Sequence, residues 1–348
     1  LTTIVKLQQE KPKRKTNPRT LFSKNILNEI NALQAKNNWY NFFSLGLDWL
    51  LIALAITAAQ YFQNVYVYIL AVILIGGRMR GLDNLMHEAS HGMMFKNRWL
   101  NKWVTSIFVS FPVFTNYTDY CQSHYKHHKY LWTDQDPDTS HLTALGLNKA
   151  SVSKLHFFFK YVIGFFIVLN VPKNIYSMLK KLFSTKLQTK VEYGLKLAFW
   201  AIVTFLAVYY NFWLDLILYW LVPLTVVFPV IRFWSDLADH SGLETSDPLY
   251  SSRNSYGNVI ERLILYPHHD TYHIVHHLFP AIPHYNLKKA HLVLMKNEEY
   301  AKAHHCSGFF KSFFPGFRSV IDDIVRKLNQ KEKEEIGGAK NGGTYRDI

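Results

Sequence analysis

Long apolar runs alternate with polar, histidine-bearing stretches along this chain, and the alternation predicts four membrane-length helices. The first run extends from about Asn41 to Phe62, broken only by Asp48 and Gln60. About twenty residues rising 1.5 Å each cross a hydrocarbon core of ~30 Å, so the run is long enough to span. Gln63-Asn64 makes a very short turn, and the second run starts near Val65 and stays apolar to Gly76. It continues through Gly77-Arg78-Met79-Arg80-Gly81-Leu82, so one long helix is expected to cross the bilayer and carry the histidines that follow beyond it. The third and fourth runs are Leu195–Tyr210 and Phe212–Ile231, joined near Asn211, with Pro223 and Pro229 expected to kink the last.

Shorter apolar stretches do not reach this length. Residues 99–114 are aromatic-rich and interrupted, which predicts an interfacial segment. Residues 157–170 contain Lys160 and precede a lysine-rich stretch, so a surface-lying or re-entrant helix is expected there. The chain thus divides into a basic polar lead segment (1–40), a membrane domain (41–310) and a charged tail (311–348) expected to fray from about Ile321. The expected fold is an all-α membrane protein: two helical hairpins with interfacial helices and a helical cap on one face. Two hairpins bring the N-terminus, the histidines and the C-terminus to that face. The Lys and Arg residues collect there too, so it should be cytoplasmic. A bacterial inner membrane is expected before an endoplasmic reticulum, partly because Leu stands at position 1.

Composition narrows the functional classes. The 348 residues are 49% hydrophobic and 16% aromatic, with a net charge of +14. Basic excess of this kind fits cytoplasmic loops and anionic headgroups. No folded basic domain with base-stacking signatures accompanies it, so nucleic acid is not an expected partner. The two cysteines, Cys121 and Cys306, are too few for a disulfide scaffold or a thiolate-rich zinc site. Cys121 stands three residues before a histidine cluster, and an inert buried thiol is the expected reading. The lead segment lacks both the pattern of a secretory signal and that of a fused haem electron carrier.

Eight of the seventeen histidines fall in three clusters: His87-Glu-Ala-Ser-His91, His124-Tyr-Lys-His127-His128 and His273-Ile-Val-His276-His277. Residues three or four apart share a helix face, so each cluster can aim two or three imidazoles at one point. Imidazole is a common neutral metal ligand. Eight are too many for one ion and enough for two. His141, His156, His284, His291, His304 and His305 stand alone and are expected to be ordinary surface or core residues.

The three clusters, placed just beyond apolar segments, resemble the histidine boxes of the integral-membrane fatty acid desaturase superfamily. The likeness covers roughly residues 40–300. It extends to Trp132-Thr133-Asp134-Gln135-Asp136-Pro137-Asp138 after the second box and Leu278-Phe279-Pro280-Ala281-Ile282-Pro283 after the third. The resemblance implies a ninth ligand on the cytoplasmic extension of the last span, where Asp236-Leu-Ala-Asp239-His240 stands, and assigns it to His240. It implies two iron ions held by His87, His91, His124, His127, His128, His240, His273, His276 and His277. O2 is the implied co-substrate. Asp236 and His269 depart from the family pattern and are candidates for an outer shell, Asp236 orienting a metal-bound water and His269 as a partner or extra ligand. Metal-bound imidazoles need a carboxylate or carbonyl on the other ring nitrogen. Glu88, Asp83, Asp134, Asp138, Asp239 and Asp270 are near enough in sequence to serve.

The implied reaction removes two hydrogens from neighbouring carbons of an acyl chain carried on lipid, CoA or carrier protein. A hydroxylase or ketolase of a carotenoid or other apolar metabolite would use the same boxes, and so would a desaturase of a small specialised metabolite. A non-catalytic metal-binding or transport protein is disfavoured because transporters place their ligands within the bilayer. No nucleophile elbow, phosphate loop or dinucleotide fingerprint is present. Electrons are therefore expected from a separate ferredoxin or cytochrome, which the basic face would attract if acidic.

Overall fold

The computed structural model describes residues 17–139, 147, 153–164, 170–183 and 189–341. Four of its helices are long and apolar enough to cross a membrane: α2 (Asn38–Phe62), α3 (Val65–Ser90), α7 (Lys190–Tyr209) and α8 (Trp213–His240). A shorter helix, α1 (Lys24–Ala32), precedes them. Helices α4 (Arg98–Thr105), α5 (Tyr117–Tyr130) and α6 (Val171–Phe183) lie between the two pairs. Helices α9 (His273–Leu278), α10 (His284–Leu294) and α11 (Val320–Asn341) follow. The fold is not wholly helical, because Asn254–Tyr256 pairs in parallel with His305–Ser307.

The turn between α2 and α3 follows from its two residues. Gln63 takes the left-handed conformation (φ 47°), and the Asn64 side chain accepts from the N–H groups of Tyr66 and Val67, capping α3. Helix α3 has 26 residues, about 39 Å. It exceeds a ~30 Å core by roughly 9 Å, enough to carry its histidines past the apolar region. The outward faces of these helices are apolar, with Leu50, Leu54, Leu70, Ile202 and Phe205 exposed, as lipid contact requires. Inward, Ile52, Ile75, Met79, Leu82 and Leu224 form the core. The α3–α8 contact is close at Gly76, where a Cβ would lie 2.5 Å from Val227 Cγ1.

Helix α8 runs past Ile231 to His240, giving the last span the extension expected of it, and passes its prolines through wide turns at Ile217–Leu221 and Pro223–Val227. Proline cannot donate to the ladder, and a widened turn absorbs the defect without ending the helix. The 99–114 segment buries Val109, Phe111 and Val113 among the apolar helices and leaves Trp99, Ile107 and Phe108 exposed. Its carbonyls are satisfied by three indoles, Trp49 to Phe108 (3.1 Å), Trp200 to Phe111 (2.8 Å) and Trp220 to Pro112 (2.9 Å). Irregular backbone at such a place needs partners of this kind. The tail does not fray at Ile321, since Ile321, Ile324 and Leu328 are buried and Asp323 pairs with the fully buried Arg253 at 2.8 Å. The 157–170 segment buries Phe157, Tyr161 and Val162, while residues 165–169, His141 and the ends 1–16 and 342–348 lie outside the described residues.

Candidate metal centre

Nine imidazoles converge from four helices, and helical geometry explains their sorting. A residue turns about 100° on a helix, so residues four apart differ by about 40° and residues three apart by about 60° the other way. A His-x-x-His-His cluster therefore aims a pair at one point and a single ring at another. In α5 the pair is His124 and His128, and the single ring is His127. In α9 the pair is His273 and His277, and the single ring is His276.

The tertiary fold crosses these assignments. His87, His91, His124, His128 and His276 form one group, and His127, His240, His273 and His277 form the other, with each group's ligand atoms within 4.8 Å of one another. Each His-x-x-His-His helix thus gives its pair to one group and its single ring to the other, bridging the two. The chain positions His240 by running α8 to that residue.

The donor sets fit metal ions. The Nε2 atoms stand 2.8 Å apart for His91 and His124, 2.9 Å for His124 and His128, and 3.0 Å for His128 and His276. In the second group the separations are 2.9 Å for His240 and His273 and 3.0 Å for His273 and His277. Nitrogens about 2.1 Å from one ion lie about 3.0 Å apart at right angles and about 3.4 Å apart at tetrahedral angles. The observed spacings lie nearer the first value, and the five donors of the first group exceed a tetrahedral set. His124 Nε2 faces both His91 and His128, and one ring nitrogen cannot donate to one and accept from the other. The buried Nε2 of His87 has no hydrogen-bond partner among the described residues. A cation at each centre resolves these conflicts.

The outer ring nitrogens are held. His127 Nδ1 lies 3.0 Å from Asp136 and 3.2 Å from Asp138. His240 Nδ1 donates to the Ser251 carbonyl at 2.9 Å, and His273 Nδ1 lies 3.8 Å from Asp239. These contacts put the proton on Nδ1 and leave the Nε2 lone pair pointing inward. Burial, followed by neighbouring imidazoles, pushes His124, His128, His273, His276 and His277 well below the usual histidine range, so they stay neutral, as ligands must.

The family model described as fatty acid desaturase matches residues 63–308. The chain belongs to the fatty acid desaturase family. A curated relative, dihydrorhizobitoxine desaturase of Bradyrhizobium elkanii, is 31% identical over 337 residues, 92% of this chain and 94% of the relative. The protein is therefore an oxidoreductase of the desaturase type.

All nine histidines expected as ligands come together in this desaturase. Asp236 and His269 lie outside both groups: Asp236 lines a cavity beside them, and His269 stacks on Tyr272. Of the expected carboxylates, Asp138 and Asp239 reach ligand histidines. Glu88 instead accepts from the backbone N–H of His284, Asp83 and Asp270 bind Arg80, and Asp134 is exposed. Sequence reasoning missed Asp136 and the Ser251 carbonyl. Asp136 stood in the acidic segment already singled out, and its nine-residue distance from His127 was the available signal. Of the lone histidines, His156 is exposed, while His284 bonds Asn41 at 2.8 Å.

A cavity of about 370 Å³ opens onto the ligands. Helices α3, α5, α6 and α8 supply its walls, and His87, His124, His127, His240 and His273 form part of its lining.

Proposed function

We propose that this chain is a membrane-bound, iron-dependent desaturase. His87, His91, His124, His128 and His276 would hold one iron, and His127, His240, His273 and His277 the other. The observation that carries the reading is the inward convergence of nine imidazoles in two groups. Imidazole alone does not choose among iron, copper and zinc, and membership of the family favours iron. When bound, the irons would supply activation of O2 for breaking unactivated C–H bonds.

The balance is one O2, two external electrons and two protons, with two hydrogens from adjacent substrate carbons, giving a C=C bond and two waters. The chain's own residues keep the ligands aimed, through Asp136, Asp138 and the Ser251 carbonyl. The cavity walls place the two carbons beside the groups, and this placement separates desaturation from hydroxylation. The relative's desaturase activity supports the first outcome. Electrons would come from a separate ferredoxin or cytochrome, since no nucleotide-binding or haem motif is present in the sequence. The two pairs of apolar helices are arranged as hairpins, with the ligands on the cytoplasmic side where Lys and Arg collect.

An acyl chain is the substrate expected from the sequence. The relative is named for dihydrorhizobitoxine, and that compound heads the substrates to test. Metal analysis of the purified chain is expected to find about two irons per chain, and a single zinc would overturn the redox reading. A host expressing the intact chain should gain an unsaturated species that the His127→Ala form does not give. An oxygenated product in its place would transfer the reading to hydroxylase.

A further inference from the structure

We propose that the short helix Val259–Ile264 and the phenylalanine-rich loop 309–317 form a lipid-embedded ledge, sunk into the bilayer leaflet on the side of the ligands. The proposal rests on the membrane-bound reading and adds a lipid contact that the four spanning helices do not supply.

The short helix is built inside out. Val259 is 71% exposed and Ile260 67%, and Leu263 also faces outward, while the helix's one acid, Glu261, is buried. Glu261 accepts from the backbone N–H groups of Asn258 at 3.3 Å and Phe309 at 2.9 Å, so it ties the helix to the loop from within. The loop follows the same plan: Phe309 is buried, and Phe310, Phe313 and Phe314 face outward. A surface meant for water keeps its charge outside and its large hydrocarbon groups inside. A contiguous apolar patch of this kind marks an interaction surface.

Helix α3 measures the depth of the patch. It starts at Val65, next to the exposed Tyr61 and Tyr66, which suit the far interface. Gly77 lies twelve residues on, about 18 Å along the axis. A Cβ there would stand 3.1 Å from the Ile264 Cα, so the short helix packs directly on α3 at that level. Further up, Asn84 donates to the Pro267 carbonyl at 2.9 Å, and His268 Nε2 lies 2.7 Å from Asp48 of α2. Against a hydrocarbon core of ~30 Å, the short helix sits roughly 12 Å below the near surface, and any tilt of α3 makes it deeper. Backbone that is not part of a span is tolerated at such depth when protein holds its inner side.

The ledge also continues a lipid-facing stripe. Leu70 is exposed and lies seven residues before Gly77, on the same face of α3. Beyond Leu70 the short helix covers that face and carries its apolar surface outward. Among residues 256–264 and 309–318 no Asp or Glu is exposed, whereas Arg262, Lys311 and Arg318 are. Their long side chains can reach anionic headgroups while the hydrocarbon beside them stays below. Depth selects lipid over a soluble partner, which could not reach a surface beneath the headgroups. His273 follows His268 by five residues, so the ledge is also the base on which α9 and its three ligands stand.

The test uses the iron-loaded full chain in nanodiscs of phosphatidylcholine and phosphatidylglycerol. Ile260→Cys, Phe314→Cys, Leu70→Cys and Asp134→Cys are each labelled with an environment-sensitive fluorophore, and the parent chain, treated identically, sets the background from Cys121 and Cys306. Quenching is read with doxyl groups on the lipid acyl chains and with iodide in the water. The labels at 260 and 314 are expected to be quenched by doxyl lipid at least three-fold more, and by iodide at least three-fold less, than the label at 134. Val259→Cys stands in for either variant if it does not fold. Labels at 260 and 314 that behave like the one at 134, while the label at 70 is quenched by doxyl lipid, overturn the ledge and keep the membrane reading. No lipid quenching at 70 overturns both. Shielding from iodide at 260 and 314 without lipid quenching assigns the patch to another protein surface and overturns the proposal.

Discussion

Asp136 Oδ1 accepts from His127 Nδ1 at 3.0 Å, and the same carboxylate is fixed by Thr139 Oγ1 and the backbone N–H of Asp138. Burial opposes protonation of His127, but its bond to Asp136 and the charges of Asp138 and Asp136 outweigh it, so its pKa stands above the ordinary value. The carboxylate raises the basicity of the ring that faces the second group. Asp136→Asn is expected to weaken iron binding about 10–100-fold in a chelator competition. Asp134→Asn, on an exposed neighbour, should leave it unchanged.

The two groups differ in how many donors they can lose. His240→Ala leaves the second group with three donors, while the first keeps five. Iron content should fall from about two toward one per chain. Loss of both ions together would mean that the groups fill only as a unit.

The inserted 99–114 segment depends on indole donors. Trp200→Phe removes the 2.8 Å bond to the Phe111 carbonyl, which keeps only the Phe114 N–H at 3.0 Å. The expected cost is about 0.5–1.5 kcal/mol, read as a lower melting temperature in detergent. Trp213→Phe, on a half-exposed outward residue, should melt like the parent.

Acid should loosen the C-terminal helix first. Burial raises the Asp323 pKa, but Arg253, His304 and Arg326 together hold it well below the usual 3.8 in the folded chain. The unfolded chain therefore binds the proton near pH 4 and the folded chain only at lower pH. The stability Asp323 contributes is complete above about pH 5 and is lost progressively as pH falls below 4. Asp323→Asn should melt lower at pH 7, because Arg253 is left buried and unpaired at a cost of about 3–5 kcal/mol. It should also show a shallower fall between pH 5 and pH 3. Equal slopes in the two proteins would assign the acid sensitivity elsewhere.

Neither cysteine should react readily. Burial pushes Cys121 up to about 11 and Cys306 up to about 12, so thiolate is scarce at pH 8. Maleimide labelling of the folded chain should be slow at both and become fast in denaturant.

The sequence by itself determined the four apolar helices and the histidine faces, because both are local. A hydrophobic run needs only its own length to span, and residues three and four apart share a helix face whatever surrounds them. It also marked His240, through the resemblance of the surrounding motifs. Only the tertiary structure decided the rest. That His276 joins His87 while His127 joins His277 depends on how α5 and α9 cross, and no spacing encodes that crossing. Asp136 was passed over for its neighbours because which carboxylate reaches a ring depends on the turn after α5. The burial of Phe111 and of Ile321 depended on partners about ninety residues away or across the fold, Trp200 and the β-paired segment containing Arg253's neighbours. The cavity over the ligands was the least legible feature, because its walls come from α3, α5, α6 and α8 and only their packing brings them together.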